Sequence, residues 1–600
     1  MTGLDLLNHL NRTYLKLHKA YERAFWTSYM GDHSVDKRMT IAQKERDNFR
    51  SNRELKTEVE KQILKSKGET KRRLEIWNNF FGLFQIPLSA VSIKNEAIEL
   101  ESEVMKKRTT RKEGYIDPVT KKFIVASENK MRVLMRTNQN EKVRKACFES
   151  LEKLAGECVS DYVKQVKQRN KFAKVIGYKD FYDYKIHIDE GMSKKELFAI
   201  FEDVYKKTKY AFKNVRKLEK VYPNLRKPWN FSFMLTGDFV KEEDQYFQFE
   251  NALSYWGKSF NALGVDFQQG SINLDLIDRK GKYNNGFCHW PVPIHYEGGR
   301  RIPGVCDFTS NAIVNQVGSG INGIHTLFHE AGHAAHLLNS TQEDCCINTE
   351  YPPSTVSWAE TQSMFMDSIS ASIEWKMRYA KNANGKSYPF ELYEKKARKI
   401  YPLIPLDLMG IMFVVFFEKE IYECKNLTAE IAIKIAKRIY KKYFDRSVDS
   451  ISIFNVPHIY NWESAAYYHG YGLAELGVEQ WREYFLKKYG YIVDNPNVGR
   501  EMREVWKYSA LYASNKFIKM ATGKSLGPNA YVKSVTKPLN GILSDAKKRV
   551  VRLQKVPHIN KAVKLNARIS MYHGKKKIAD NSKGFGSMDR TYRAWLKTVK

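Results

Sequence analysis

Among the 14 histidines of this 600-residue chain, two stand four apart with a glutamate directly after the first. His329, Glu330 and His333 spell His-Glu-x-x-His inside the run from Ile324 to His336. On a helix, positions i and i+4 share a face, so the two imidazoles can offer nitrogens to one metal ion. Glu330 falls one position round, where a carboxylate reaches a water on that metal without competing for the metal itself. The pattern predicts a zinc hydrolase. Ile324, Leu327, Phe328, Ala331 and Ala335 recur at helical spacing on one side, which buries that side and fixes the direction of the imidazoles. Gly332 is the one helix breaker in the run, and a glycine inside such a helix permits the close approach of a neighbouring backbone.

A hydrolytic zinc site takes three protein ligands and keeps one position open. Downstream candidates for the third are Glu343, Asp344, Glu350, Glu360 and Asp367. Glu343 and Asp344 lie just past the helix end and would need a sharp reversal, while Glu350 precedes Tyr351-Pro352-Pro353 in an exposed-loop pattern. Glu360 opens the next helical stretch after a connection long enough to turn back, and is the preferred ligand. His325 and His336 flank the pair, yet four successive positions of a straight helix cannot all converge on one ion. Both are read as supporting or core histidines, and Asp367 as a partner for a ligating imidazole. Peptide hydrolysis also needs donors for a developing oxyanion. The stretch from Pro457 to Tyr471 is dense in hydroxyls and imidazoles, with His458, Tyr467 and Tyr471 as candidates; the same residues would serve equally as aromatic core with satisfied hydroxyls.

The elements that must hold these groups are mostly helical. Leu7, Leu10, Tyr14, Leu17 and Tyr21 keep helical spacing, and 43–77 is charged with few breakers, so the N-terminal part reads as long amphipathic helices forming a lid or wall. Helical patterning resumes over 127–262. The region 267–318 differs: Ser271 to Asp278 alternates polar and apolar residues, and Gly281, Gly286, Gly298 and Gly299 mark turns, so a small sheet leads into the metal helix. Helices are expected over 359–377, 405–422, 428–443 and 461–488, with a loop at 451–458. Breakers from Gly523 to Gly541 suggest that the compact body ends near 544. The expected organisation is a mostly α chain with an N-terminal helical region over 1–130, a catalytic region over 131–544 and a basic extension over 545–600.

Composition narrows the setting. With 43% apolar and 13% aromatic residues the chain can bury a large core, and disorder is excluded. Seven cysteines without framework spacing point to a reducing compartment, and the N-terminus lacks the basic and apolar regions of a secretory signal, so a cytoplasmic location is expected. The longest apolar run, Leu408 to Phe417, is too short to cross a bilayer and reads as a buried helix; no membrane partner is expected. The net charge of +33 is concentrated towards the end, where 541–600 carries 16 Lys and Arg against Asp545, Asp580 and Asp589. Lys547, Lys548, Arg549, Arg552 and Lys575 to Lys577, with Tyr572, Tyr592 and Trp595, offer cations and rings to nucleic acid, although a solvated basic surface is the plainer reading.

The stretch Phe328 to His336 resembles the His-Glu-Phe-Gly-His-x-x-His helix of the thimet oligopeptidase and oligoendopeptidase family of zinc metallopeptidases. Arg279-Lys280-Gly281-Lys282 with Gly286, Val305-Cys306-Asp307-Phe308-Thr309, Trp358-Ala359-Glu360 and Tyr467-Tyr468 with Tyr471 are similar to that family in the same order. So are Gln168 to Tyr178 and Gly191-Met192-Ser193, and the likeness covers roughly 130–540. The start is more loosely similar to the angiotensin-converting-enzyme-like peptidases. The resemblance implies a large helical body split by a deep substrate channel, with a small β-sheet beside the metal helix. It implies one Zn2+ on His329, His333 and Glu360, Glu330 as base, and substrate or intermediate contacts from His458, Tyr467 and Tyr471. Two departures stand out. The interval from Tyr467 to Tyr471 is one residue longer than the family pattern, so Tyr468 could take the second role, and a family tyrosine falls opposite Glu463, with Tyr460 the nearest substitute. The expected activity is endopeptidase cleavage of short peptides. The alternatives are a peptidyl-dipeptidase, which would need a cationic or donor-rich pocket for a free carboxylate, and a basic anion- or nucleic-acid-binding protein on a peptidase-like body.

Overall fold

The computed structural model describes residues 2–349, 356–559 and 561–599, so Glu350 and the Tyr351-Pro352-Pro353 stretch lie outside the described residues. Helices dominate, as the periodicity predicts, and surround one five-stranded sheet; two short hairpins complete the strands. Helix Gly3–Tyr29 starts at a capping box in which Thr2 and Asp5 satisfy each other's backbone amides. Its face of Leu6, Leu7, Leu10, Tyr14 and Tyr21 is buried, and it packs beside helix Asp36–Arg50 and strand Phe287–Val292.

The sheet is mixed. Phe287–Val292 forms one edge, antiparallel to Val305–Ala312; next come Ser271–Ile277 and Arg568–His573, all three central strands running parallel, and Lys576–Asp580 closes the far edge. Ile272 and Leu274 are fully buried, which is the alternation read in the sequence. Register aligns Asn273 with Asp307 and Asp307 with His289. Laterally paired residues project to one face, so three polar side chains form a row across the sheet.

Helix Ser319–Leu338 follows the sheet and buries Ile324, Leu327, Phe328, Ala331 and Ala335 completely, each large side chain contributing about 1.5–3 kcal/mol. It packs on helix Val356–Ala371. The contact is tight at Gly332, where a Cβ would stand 2.7 Å from Ser363 Cα and 2.9 Å from the Gln362 carbonyl oxygen. Helix Val356–Ala371 in turn packs on helix Tyr468–Tyr489, where Gly477 would meet Thr361 Oγ1 at 2.9 Å. The apolar run at 408–417 belongs to helix Met409–Glu423, with Met412, Val415 and Phe417 fully buried. No disulfide links any of the seven cysteines.

Two expectations are corrected. The boundary near 544 falls inside helix Leu539–Gln554, and the segment beyond it is no appended tail. Arg568–His573 is inserted beside the central strand Ser271–Ile277, and Ile569, Met571, Phe585, Met588 and Tyr592 are buried in the same core cluster as Ile324 and Phe328. Flanking lysines mask this apolar alternation in the sequence. The helix expected from 461 begins at Tyr468. Asn461 Oδ1 accepts from the amides of Glu463 and Ser464, Glu101 accepts from the amide of Trp462, and Ala466 adopts φ +51°, so 461–467 is held as a turn.

Candidate active site

Helix geometry brings His329 and His333 to one face, and the close contact at Gly332 carries Glu360 in against them. His329 Nε2 and His333 Nε2 lie 3.4 and 3.5 Å from the same oxygen, Glu360 Oε2. One ligand atom from each of the three residues lies within 4.8 Å of the others. For an ion bonded at about 2.1 Å, neighbouring corners of a tetrahedron stand roughly 3.4 Å apart, so the three side chains fit a tetrahedral metal. Behind them, Asp367 Oδ2 is 3.0 Å from His329 Nδ1. Ser363 Oγ donates to Glu360 Oε2 at 3.1 Å, and the Tyr467 hydroxyl donates to Glu360 Oε1 at 2.5 Å. These contacts orient the ligands, as the partner role read for Asp367 requires.

The electrostatics also call for a cation. Burial opposes charge on His329, but hydrogen bonds to Asp367 and Glu360 and the nearby Glu330 charge outweigh it and raise its pKa to about 10. Burial works against ionisation of Glu360 too, and the two histidines overcome it and hold the carboxyl well below its usual range. The carboxylates of Glu330, Glu360 and Asp367 thus surround the imidazole with negative charge, a setting that suits a cation.

A cleft of about 540 Å³ opens over this centre, and His329, Glu330, His333, Glu360, His458, Tyr467 and Tyr471 all line it. The Glu330 carboxylate faces the mouth of strand Phe287–Val292: a Cβ placed on Gly286 would stand 3.2 Å from its Oε1. His458 Nε2 is 3.2 Å from the Tyr471 hydroxyl, and burial lowers its pKa to about 4, which leaves the ring neutral. Tyr468 lines the same wall, edge-on to His458. His325 reaches the cleft, whereas His336 is buried away from it, 3.3 Å from the Ser509 carbonyl oxygen and edge-on to Trp358. The rejected ligand candidates Glu343 and Asp344 bind Arg73 instead, and Asp344 also accepts from Trp77.

The sequence reading gives no role to one set of polar residues in this wall, although Asp307 and Glu463 lie in stretches compared with the family there. His289 Nδ1 is 3.1 Å from Glu22 Oε2, and its Nε2 is 3.2 Å from Asp307 Oδ2. Asn273 donates to Asp307 at 2.7 Å, and Arg46 bridges Glu22 at 3.0 Å to Glu463 at 2.8 Å. The row begun in the sheet therefore continues through helix Gly3–Tyr29 and helix Asp36–Arg50 to the turn at 461–467. The sequence signal for it is slight: buried-strand polar residues at 289 and 307, and a glutamate one position round from the apolar face of the first helix.

The family model for peptidase family M3 matches residues 134–504. The chain belongs to that family. Its fold is shared with a solved structure described as "BsuCP Crystal Structure", at 14% sequence identity and a TM-score of 0.58, over 91% of this chain and 99% of the other. No curated protein matches the chain. The M3 match contains the two-histidine helix, Glu360 and the segment from His458 to Tyr471. This M3 protein is a mostly helical metallopeptidase that acts on peptides.

Proposed function

We propose that the chain is a zinc-dependent peptidase that hydrolyses peptide bonds within short oligopeptides, with Glu330 as general base. The observation that carries this reading is the convergence of His329, His333 and Glu360 to within 4.8 Å beside the Glu330 carboxylate. A zinc ion held by these three residues would supply Lewis acidity and a water acidified towards neutral pH. Glu330 takes a proton from the attacking water and hands it to the nitrogen of the departing peptide. Asp367 keeps the His329 ring in its ligating tautomer and orientation through Nδ1. His458 and Tyr471, whose rings pack against Tyr467, stand as donors for the developing oxyanion, and Tyr467 joins them when its hydroxyl turns from Glu360, each worth on the order of 3 kcal/mol. Phe25, Tyr29, Tyr283 and Phe287 give the cleft apolar walls, which favour an extended peptide over a folded protein.

Glu330→Gln keeps the shape of the site and removes the base. The expected result is a roughly 10²–10⁴-fold fall in kcat on a quenched peptide, with the bound metal unchanged by elemental analysis. Cleavage at the wild-type rate would remove Glu330 from the mechanism.

A further inference from the structure

A second cavity, of about 470 Å³, adjoins the cleft, and the two share Asn285, Gly286 and Thr326 as a common wall. Their linings differ in charge. Among the described residues the cleft carries Glu22, Glu330, Glu360, Asp367 and Glu463 with no Lys or Arg. The adjoining cavity carries Arg132 and Arg136, several asparagine amides and no carboxylate. In a chain of net charge +33, the only Lys or Arg side chains lining the joined space among the described residues are therefore these two arginines.

Arg136 is not neutralised within the fold, and Arg132, an exposed side chain, has only a shared carboxylate. Arg136, half-buried on helix Glu128–Thr137, has no side-chain hydrogen bond or ion pair among the described residues. Burial pushes its pKa down, with no neighbouring carboxylate to offset the effect. Arg132 is 3.6 Å from Glu128, but Glu128 is shared with Arg111 and lies 4.0 Å from Arg108. Asn311, at the end of strand Val305–Ala312, has both side-chain amide atoms buried and without a partner among the described residues. The Asn311 amide nitrogen and the unpaired Arg136 guanidinium offer N–H donors of the kind that hold a carboxylate. Asn129 Nδ2 donates to the Asn284 carbonyl oxygen at 2.9 Å and ties the arginine helix to the bend that leads into strand Phe287–Val292.

Distance sets which part of a substrate arrives there. The cavity runs along helix Ser319–Leu338 from Thr326 back to Ser319, three to ten positions before His329. At 1.5 Å per helical residue that is roughly 5–15 Å, the span of about two to four residues of extended peptide. We propose that this cavity is an anion subsite of the peptidase. It takes a substrate carboxylate two to four residues from the scissile bond, with Arg136 and Arg132 as the specificity-determining residues. A guanidinium pairs with a carboxylate through two parallel hydrogen bonds, which a neutral amide end cannot reproduce. The inference rests on the peptidase reading above.

The test uses one neutral quenched peptide as its free acid, as its C-terminal amide, and as a series of amides with a single Glu placed in turn at each of the last four positions. The expected wild-type result is a kcat/KM at least about ten-fold higher for a carboxylate-bearing form than for the neutral amide. That ratio falls towards one in Arg136→Gln and Arg132→Gln, recovers in part in Arg136→Lys, and is untouched in Lys548→Gln, a surface control. A preference for the free acid, with the cut at a fixed distance from the terminus, assigns the subsite to the terminal carboxylate. A preference for a Glu-bearing amide assigns it to an acidic side chain. A wild-type ratio near one, or a ratio that survives both Arg→Gln substitutions, overturns the proposal. The same ratio read as Kd by calorimetry on Glu330→Gln keeps the two readings apart. Acid-selective binding that depends on Arg136, in a wild-type protein that cuts none of the peptides, would support the subsite and sink the peptidase reading.

Discussion

With Glu22 on one ring nitrogen and Asp307 facing the other, His289 is held protonated, its pKa raised to about 9 against the cost of burial. A histidine whose folded pKa lies above its unfolded value of about 6.5 stabilises the fold fully below that value, and the contribution disappears as pH rises through about 9. The size is ~3 kcal/mol, shared with Glu22 rather than additional to it. His289→Gln should therefore lower Tm by several degrees at about pH 6 and by little at about pH 10. A gap in Tm that stays the same at both pH values would show that His289 acts through packing alone. These residues also mark the limit of sequence reading at this scale. His329, Glu330 and His333 are legible because their spacing is local to one helix. Glu22 meets His289 across 267 positions, and Arg46 meets Glu463 across 417, so no local pattern announces either pair.

At the scale of elements, the position of Glu360 depends on how closely two helices approach. Gly332→Ala places a methyl 2.7 Å from Ser363 Cα, against backbone rather than a flexible side-chain end. Helix Val356–Ala371 must then shift, at a cost of about 1–3 kcal/mol. Glu360 moves with it, so zinc affinity by chelator competition should weaken along with Tm. Unchanged affinity in a folded variant would show that Glu360 is held independently of the helix contact. The metal helix and its partner are readable from periodicity, and Glu360 from the length of the connection before it. The turn at 461–467 is not, because its residues fit a helical pattern and its geometry comes from distant acceptors. Glu101 supplies one for the amide of Trp462, and Glu418 another for the amide of Ala466. Tertiary contacts override local preference there, and they are what bring Glu463 and Ser464 into the cleft wall.

Across the whole molecule, the basic C-terminal segment proves to be part of the core. Removing 567–600 would open the edge of strand Ser271–Ile277 and delete the buried Ile569, Met571, Phe585, Met588 and Tyr592. At about 1.5–3 kcal/mol per large buried side chain, the loss is comparable to the entire stability of a typical domain, about 5–15 kcal/mol. A chain ending at 566 should be insoluble or unfolded by circular dichroism and cut no peptide; a soluble, active product would restore the picture of a dispensable tail. The burial of Tyr592 also removes one of the rings that the sequence offered for stacking on nucleic acid. Composition reveals the charge of this segment but not its strand, since lysines on the solvent side and apolar residues on the core side are averaged together in any window.

The parallel pairing of Ser271–Ile277 with Arg568–His573 has a consequence for the time at which activity appears. The two strands are separated by roughly 290 residues, which a ribosome adding about 5–20 residues per second takes roughly 15–60 s to make. Once Glu360 has been made, roughly 210 of those residues, about 10–40 s of synthesis, still precede Arg568, and the sheet beneath His329, Glu330, His333 and Glu360 has an open side. Because the sheet is completed by one of the last segments to be made, peptidase activity is expected only after residues 568–573 have been synthesised.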